Sequence, residues 1–103
     1  MSKPRSRNHS EIARNTALLL GELIRVARLQ QRMTAEELAQ RAGVSRGLVT
    51  RVEKGDMGAG IGAAFEMVAI LDVSLFEKEE DRVSDRLHQT RRIGALLPRR
   101  ATP

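Results

Sequence analysis

The residue types that make and break bonds are few in this chain and poorly grouped. The two histidines are His9, in a basic N-terminal stretch, and His88, in the run HQTRR. Neither belongs to a spaced carboxylate or cysteine motif of the kind that builds a general base or a metal site. The chain has no cysteine, which excludes thiolate ligands and disulfides alike. The run GDMGAGIGAA, with Gly55, Gly58, Gly60 and Gly62, follows no strand and carries no Lys-Ser or Lys-Thr pair. That argues against a phosphate-cradling loop; the glycines suit a sharp turn and a close approach of backbone instead. What remains is cationic hydrogen-bonding chemistry, with Arg46, Arg51 and Lys54 on one face of a short helical segment. A face of that kind suits recognition of a polyanion. No enzymatic activity, cofactor or metal is expected.

The elements that would position this face are written into Thr34–Lys54, TAEELAQRAGVSRGLVTRVEK. Thr34 can cap a helix and Glu37 completes a capping box three residues later. Gly43 ends that helix, and Ser45 caps the next. Leu38, Ala39, Ala42, Val44, Val49 and Val52 fall at helical spacing on either side of Gly43, so two inner faces can close on each other. Two short helices joined by a tight turn containing glycine form a helix-turn-helix, whose second helix can enter a DNA major groove.

Composition agrees with an all-α domain. Pro4, Pro98 and Pro103 are the only prolines, and the aromatic residues are two phenylalanines, so aliphatic side chains and methionine must make the core. The 103 residues suffice for one domain with a modest core. Apolar runs are too short for a membrane span or a signal peptide, and a cytoplasmic protein is expected. The net charge of +5 is unevenly placed: Lys3, Arg5 and Arg7 lie in the first nine residues, and Arg91, Arg92, Arg99 and Arg100 in the last thirteen. The stretch 10–90 between them carries −2. The expected organisation is therefore a flexible basic arm over 1–9, a DNA-binding and dimerisation domain over 10–90, and a basic segment over 91–103.

Around the central motif, Ser10 can cap a long helix running to about Arg32. Leu20, Ile24 and Ala27 form one apolar row on it, enough to pack against the motif. Ile12, Leu19, Leu23 and Val26 form a second row spanning about 60° at helical periodicity. That row wants a cover, from the C-terminal segment, another subunit or a different protein. A further helix, from Ile61 or Ala63 to Leu71, is apolar nearly all round. Phe65, Met67, Ile70 and Leu71 are therefore expected at a dimer interface, with burial inside one monomer as the alternative. Ser74 can cap a last helix anchored by Leu75, Phe76, Val83 and Leu87, whose acidic start would point away from DNA. Ile93, Leu96 and Leu97 between arginine pairs look like a docking segment.

From Leu20 to Phe76 the sequence resembles the Xre/Cro-type helix-turn-helix domain of phage repressors and bacterial regulators. The residues that carry the resemblance are LGELIRVARLQQRMTAEELAQRAGVSRGLVTRVEKG, then the apolar helix and VSLFE. The resemblance implies a five-helix, lambda-repressor-like fold and a structural ion pair between Arg28 and Glu53. It also implies base reading by Arg46, Gly47, Thr50 and Arg51, and phosphate contacts from Thr34, Gln40, Ser45 and Lys54. Arg46 is the first candidate for a bidentate contact to guanine. Gly47 departs from the longer polar residues common at its position, and Ala35 stands where many relatives carry glutamine. More narrowly, GDMGAGIGAAFEMVAIL and the terminal LLPRR are similar to HipB-type antitoxins of toxin–antitoxin modules. That similarity implies a homodimer that represses its own operon at a palindromic operator and neutralises a HipA-like serine/threonine kinase toxin. A stand-alone or phage-type repressor, and a protein-interaction module on the same fold, are the alternatives.

Overall fold

The computed structural model describes residues 9–75 and 80–100. Two compact units divide the chain, Met1–Val73 and Ser74–Pro103. The first holds four helices, α1 (Glu11–Gln30), α2 (Ala35–Ala42), α3 (Arg46–Glu53) and α4 (Ile61–Leu71); the second holds α5 (Glu80–Leu96). Among the described residues there is no strand, and no helix is long and apolar enough to cross a membrane.

Local chemistry sets the helix starts. The Ser10 hydroxyl accepts from the Ala13 N–H, and the Ser45 hydroxyl from the Leu48 N–H. Thr34 and Glu37 make the full capping box, Thr34 Oγ1 accepting from the Glu37 N–H and Glu37 Oε1 from the Thr34 N–H. The ends of the first four helices share a single device. Arg32, Gly43, Gly55 and Asp72 each adopt a left-handed conformation, with φ of 57°, 70°, 78° and 56°. At each, the following N–H reaches back to a carbonyl five residues earlier: Met33 to Arg28, Val44 to Ala39, Asp56 to Arg51 and Val73 to Val68. The first helix therefore stops at Gln30, short of Arg32, because Arg32 itself takes the left-handed turn.

Ile24 of α1, Leu38 and Ala39 of α2, Val49 and Val52 of α3, and Ala64, Met67 and Leu71 of α4 meet with Met33 in one buried core. Ile24, Leu38, Val49 and Met67 are fully enclosed, each contributing about 1.5–3 kcal/mol of burial. α4 packs on both α1 and α2. Met67 and Leu71, expected at a dimer interface, are thus core residues with no surface to offer a partner, and Ile70 packs half-buried against the same cluster. The two-sided apolarity of α4 is used within one chain, because α1 and α2 cover it from two directions. Phe65 stays exposed, as do Leu19, Leu23 and Val26 on α1.

In the second unit α5 begins at Glu80, whereas Ser74 and Leu75 are non-helical; the expected anchor Phe76 lies outside the described residues, as does all of the expected arm over 1–9 except His9. α5 then runs unbroken through Arg91 to Leu96, so the segment boundary expected at 90/91 falls inside a helix and the basic stretch is helical at its start.

Two features fix α1 against α3. Gly21 is buried, and a Cβ there would lie 2.7 Å from the Glu53 carbonyl oxygen and inside contact distance of the Val52 carbonyl. The other is the ion pair. Arg28 Nε donates to Glu53 Oε2 at 2.7 Å and Nη2 to Oε1 at 3.1 Å, while Nη1 donates to the Met33 carbonyl at 2.9 Å. Both side chains are nearly enclosed, at 12% and 9% exposure. The hydrogen bond to Glu53 outweighs desolvation and holds Arg28 above its ordinary pKa range. A raised pKa leaves Arg28's contribution complete below the ordinary arginine range and lost only above it, so Arg28 stays charged at any pH the protein meets.

Glu53→Ala, which strands the Arg28 charge, is expected to destabilise by about 3–5 kcal/mol, a large part of a small domain's stability, measured by denaturant unfolding. For Gly21→Ala, helix propensity alone predicts a gain of about 1 kcal/mol. The unyielding carbonyls reverse the sign, and a net loss of about 1–3 kcal/mol is expected from the same experiment.

Candidate nucleic-acid interface

α3 divides cleanly into two sides. Val49 and Val52 point into the core, and Glu53 is tied to Arg28. Arg46, Gly47, Thr50, Arg51 and the terminal Lys54 are all exposed. At 100° per residue these five positions share an arc of about 140°. The residues expected to read bases are therefore on one outward surface, with one phosphate candidate, Lys54, among them. Thr34, Gln40 and Ser45 are exposed as well. The turn that sets α2 against α3 is held by the left-handed Gly43, with no atom within 4 Å of where its Cβ would stand. Glycine is used there for its backbone, not for space.

The side chains on this surface differ in how far they are already engaged. Thr34 has its proton taken up by its capping box, its hydroxyl donating to Glu37 Oε1 at 3.3 Å while accepting from the Glu37 N–H. Ser45 Oγ accepts from Leu48 N–H and keeps its own proton to donate. It stands at the start of α3, where unpaired N–H groups and the helix dipole favour an anion. Thr50 Oγ1 donates to the Arg46 carbonyl, which takes up its proton and leaves its methyl and two acceptor lone pairs for an outside partner. Gly47 has only Ser45 Oγ, at 3.9 Å, near its missing side chain, so the helix start is open to close approach. Among the described residues, Arg46 makes no ion pair.

Arg51 behaves differently. Its Nε donates to Asp56 Oδ2 at 2.6 Å, across the turn that follows α3. Asp56 is held in turn: Oδ1 accepts from the Gly58 N–H at 2.8 Å, and its own N–H reaches the Arg51 carbonyl at 3.0 Å. The hydrogen bond from Arg51, then that from Gly58, hold the Asp56 carboxyl below its ordinary 3.8. Sequence reasoning passed over Asp56, treating its surroundings as a glycine turn. The signal was present in Asp-Met-Gly, since an aspartate two residues before a glycine commonly closes a turn on that N–H. Gln31 was missed too; its Nε2 donates to the Leu71 carbonyl at 2.9 Å and ties the ends of α1 and α4 together.

The glycine turn serves packing. A Cβ at Gly55 would meet the Leu18 backbone at 3.0 Å, so α1 sits directly on the end of α3 there. Beyond it, Ala13, Ala17, Leu20, Val52, Ile61 and Phe65 help line an apolar groove of about 450 Å³ between α1 and the start of α4. The exposed outer row of α1, with Leu19, Leu23 and Val26, contributes nothing to that groove.

Residues 24–78, more than half of the chain, match the helix-turn-helix family HTH_3. None of the curated proteins compared matches the chain.

A depressed pKa makes the Asp56 clamp's contribution complete above the ordinary value and lost only as pH falls through the folded one. The clamp is therefore intact at neutral pH and opens below 3.8. A carboxyl titration followed by NMR is expected to give Asp56 a midpoint below 3.8 in the native protein, moving upward in Arg51→Ala.

Proposed function

The chain belongs to the HTH_3 family of Xre-type helix-turn-helix DNA-binding transcriptional regulators, and on that premise we propose that it is a sequence-specific repressor reading a palindromic operator as a homodimer. The observation that carries this is the exposed surface of α3, where Arg46, Gly47, Thr50, Arg51 and Lys54 stand together on a helix fixed from behind by Arg28–Glu53. Arg46 is the principal base reader, presenting a guanidinium fork to guanine O6 and N7. Arg51 and the Thr50 methyl read adjacent positions. Lys54, Gln40 and Ser45 contact phosphates, with Thr34 acting through the backbone at the start of α2. In a dimer, two copies of α3 enter successive major grooves about 34–36 Å apart, one turn of DNA.

The finer proposal is that this repressor is the antitoxin of a type II toxin–antitoxin module, autoregulating its operon and neutralising a HipA-like kinase toxin. Support comes from the glycine-rich entry to α4, the Leu-Pro-basic end of the chain, and exposed apolar side chains. The last are Leu19, Leu23 and Val26 on α1 and Phe65 on α4, all exposed and available to a second subunit or a toxin. A kinase-like reading frame next to this one, whose product co-purifies with it, supports the antitoxin role; a neighbourhood without one leaves a stand-alone repressor.

DNA reading is tested by equilibrium binding to the segment upstream of the protein's own reading frame, against random duplex at physiological salt. A preference of about 10³-fold or more is expected; equal affinities refute specific recognition. Arg46→Ala is expected to lose about 1–3 kcal/mol of discrimination at one base position per half-site. Lys54→Ala should weaken all DNA alike and lower the salt slope by about 1.

A further inference from the structure

We propose that Asp56 is a positioning residue for base recognition, holding Arg51 by its Nε so that the terminal Nη1–Nη2 edge is presented as a fixed reader. The inference rests on the DNA-reading surface proposed above and adds a residue outside the recognition helix to its specificity.

Three observations converge on this. First, the contact is lateral. Asp56 Oδ2 takes Nε at 2.6 Å, and the two terminal amino groups have no described ion pair. An arginine has two forked edges, and engaging Nε leaves the end-on fork that matches guanine O6 and N7. Second, Asp56 is held by hydrogen bonds of its own. Its N–H is bound to the Arg51 carbonyl, its carbonyl accepts from the Ala59 N–H at 3.2 Å, and Oδ1 is held by the Gly58 N–H. A carboxylate held at its other oxygen, on a backbone itself bound at two points, can order a flexible arginine. Third, the clamp packs on Gly58. A Cβ there would stand 3.3 Å from Asp56 Oδ1, close enough that the carboxylate would have to shift by a few tenths of an ångström, and in ordinary contact with Arg51 Nη2 at 3.7 Å. The turn thus brings a carboxylate, a guanidinium and a bare backbone N–H into one arrangement.

On an exposed surface such an ion pair adds little stability, so its effect belongs to recognition. An arginine restrained before binding loses less side-chain freedom on meeting a base. The carboxylate also works in the opposite sense on DNA generally, because it adds negative charge beside the phosphates. Asp56 therefore raises the ratio of specific to non-specific binding from both sides.

The experiment is selection from a randomised duplex library, giving base-preference profiles for the wild-type chain, Asp56→Ala, Arg51→Ala and the double variant. Asp56→Ala is expected to lose about 5- to 150-fold of discrimination at the one half-site position that Arg51→Ala also loses. Its affinity for random duplex should rise. In the double variant the loss at that position should be no greater than in Arg51→Ala alone. Asp56→Asn, which keeps an acceptor for the Gly58 N–H without the charge, should show the same positional loss if the turn survives; far-ultraviolet circular dichroism and thermal melting confirm that it does. A Asp56→Ala profile unchanged in shape, with affinity raised for every sequence alike, overturns the proposal and leaves Asp56 as a local charge. A wild-type chain with no base preference refutes the DNA-reading proposal itself, a result distinct from the first.

Discussion

A two-helix reader can hold its register on DNA only if it cannot rock against the helix behind it, and in this chain that restraint runs through Arg28. One guanidinium binds the end of α3 through both oxygens of Glu53 and binds the α1–α2 turn through the Met33 carbonyl. It joins the three segments whose relative placement sets where α3 points. Both partners are almost wholly enclosed, so water cannot replace either one if the other leaves. Replacing such a pair by apolar side chains is often neutral for stability. An apolar patch, however, would slide; a bidentate pair with a third fixed hydrogen bond defines an angle as well as a contact.

Close backbone approach supplies the rest of that rigidity. Among the described residues no aromatic side chain is fully buried; Ile24, Leu38, Val49 and Met67 fill the centre of the core. Small side chains bury little area each, so the domain gains cohesion by bringing helices nearer. Gly21 lets α1 lie against the Val52 and Glu53 carbonyls, and Gly55 lets Leu18 lie against the end of α3. Both glycines sit at α1–α3 contacts, on either side of the α3 terminus. The ion pair and the two close approaches therefore converge on the same few residues, Val52 to Gly55, immediately behind the proposed reading surface.

Much of this was legible in the sequence, for identifiable physical reasons. Helix starts depend on one side chain meeting one N–H a fixed distance along the chain, so Ser10, Thr34 with Glu37, and Ser45 announced themselves. The apolar spacing that placed Val49 and Val52 inward also placed Arg46, Thr50 and Arg51 outward. Helix ends were harder: Gly43 was readable as a left-handed residue, whereas Arg32 and Asp72 adopt the same conformation without the usual residue type. Met67 and Leu71 were assigned to an interface because apolarity shows that a residue is covered but not by what; α1 and α2 provide the cover. Asp56 was overlooked because its partners, Arg51 and Gly58, are linked by a turn whose geometry composition alone does not give.

The two arginines of α3 illustrate how one surface can divide its work. Arg46 begins the helix and has no described ion pair, so in the proposed reading it would lose its full side-chain freedom on meeting a base, and its contact would have to be strong. Arg51 lies one and a half turns on and is already tethered by Asp56 at 2.6 Å. A tethered arginine tolerates less misplacement of its target and loses less freedom on meeting the right one, and both effects favour discrimination. With Gly47 between them carrying no side chain, the surface has a bare centre flanked by one adaptable and one fixed guanidinium. Under the proposed reading, the spacing of the two along α3, together with the angle set by Arg28 and Glu53, sets which bases they would reach.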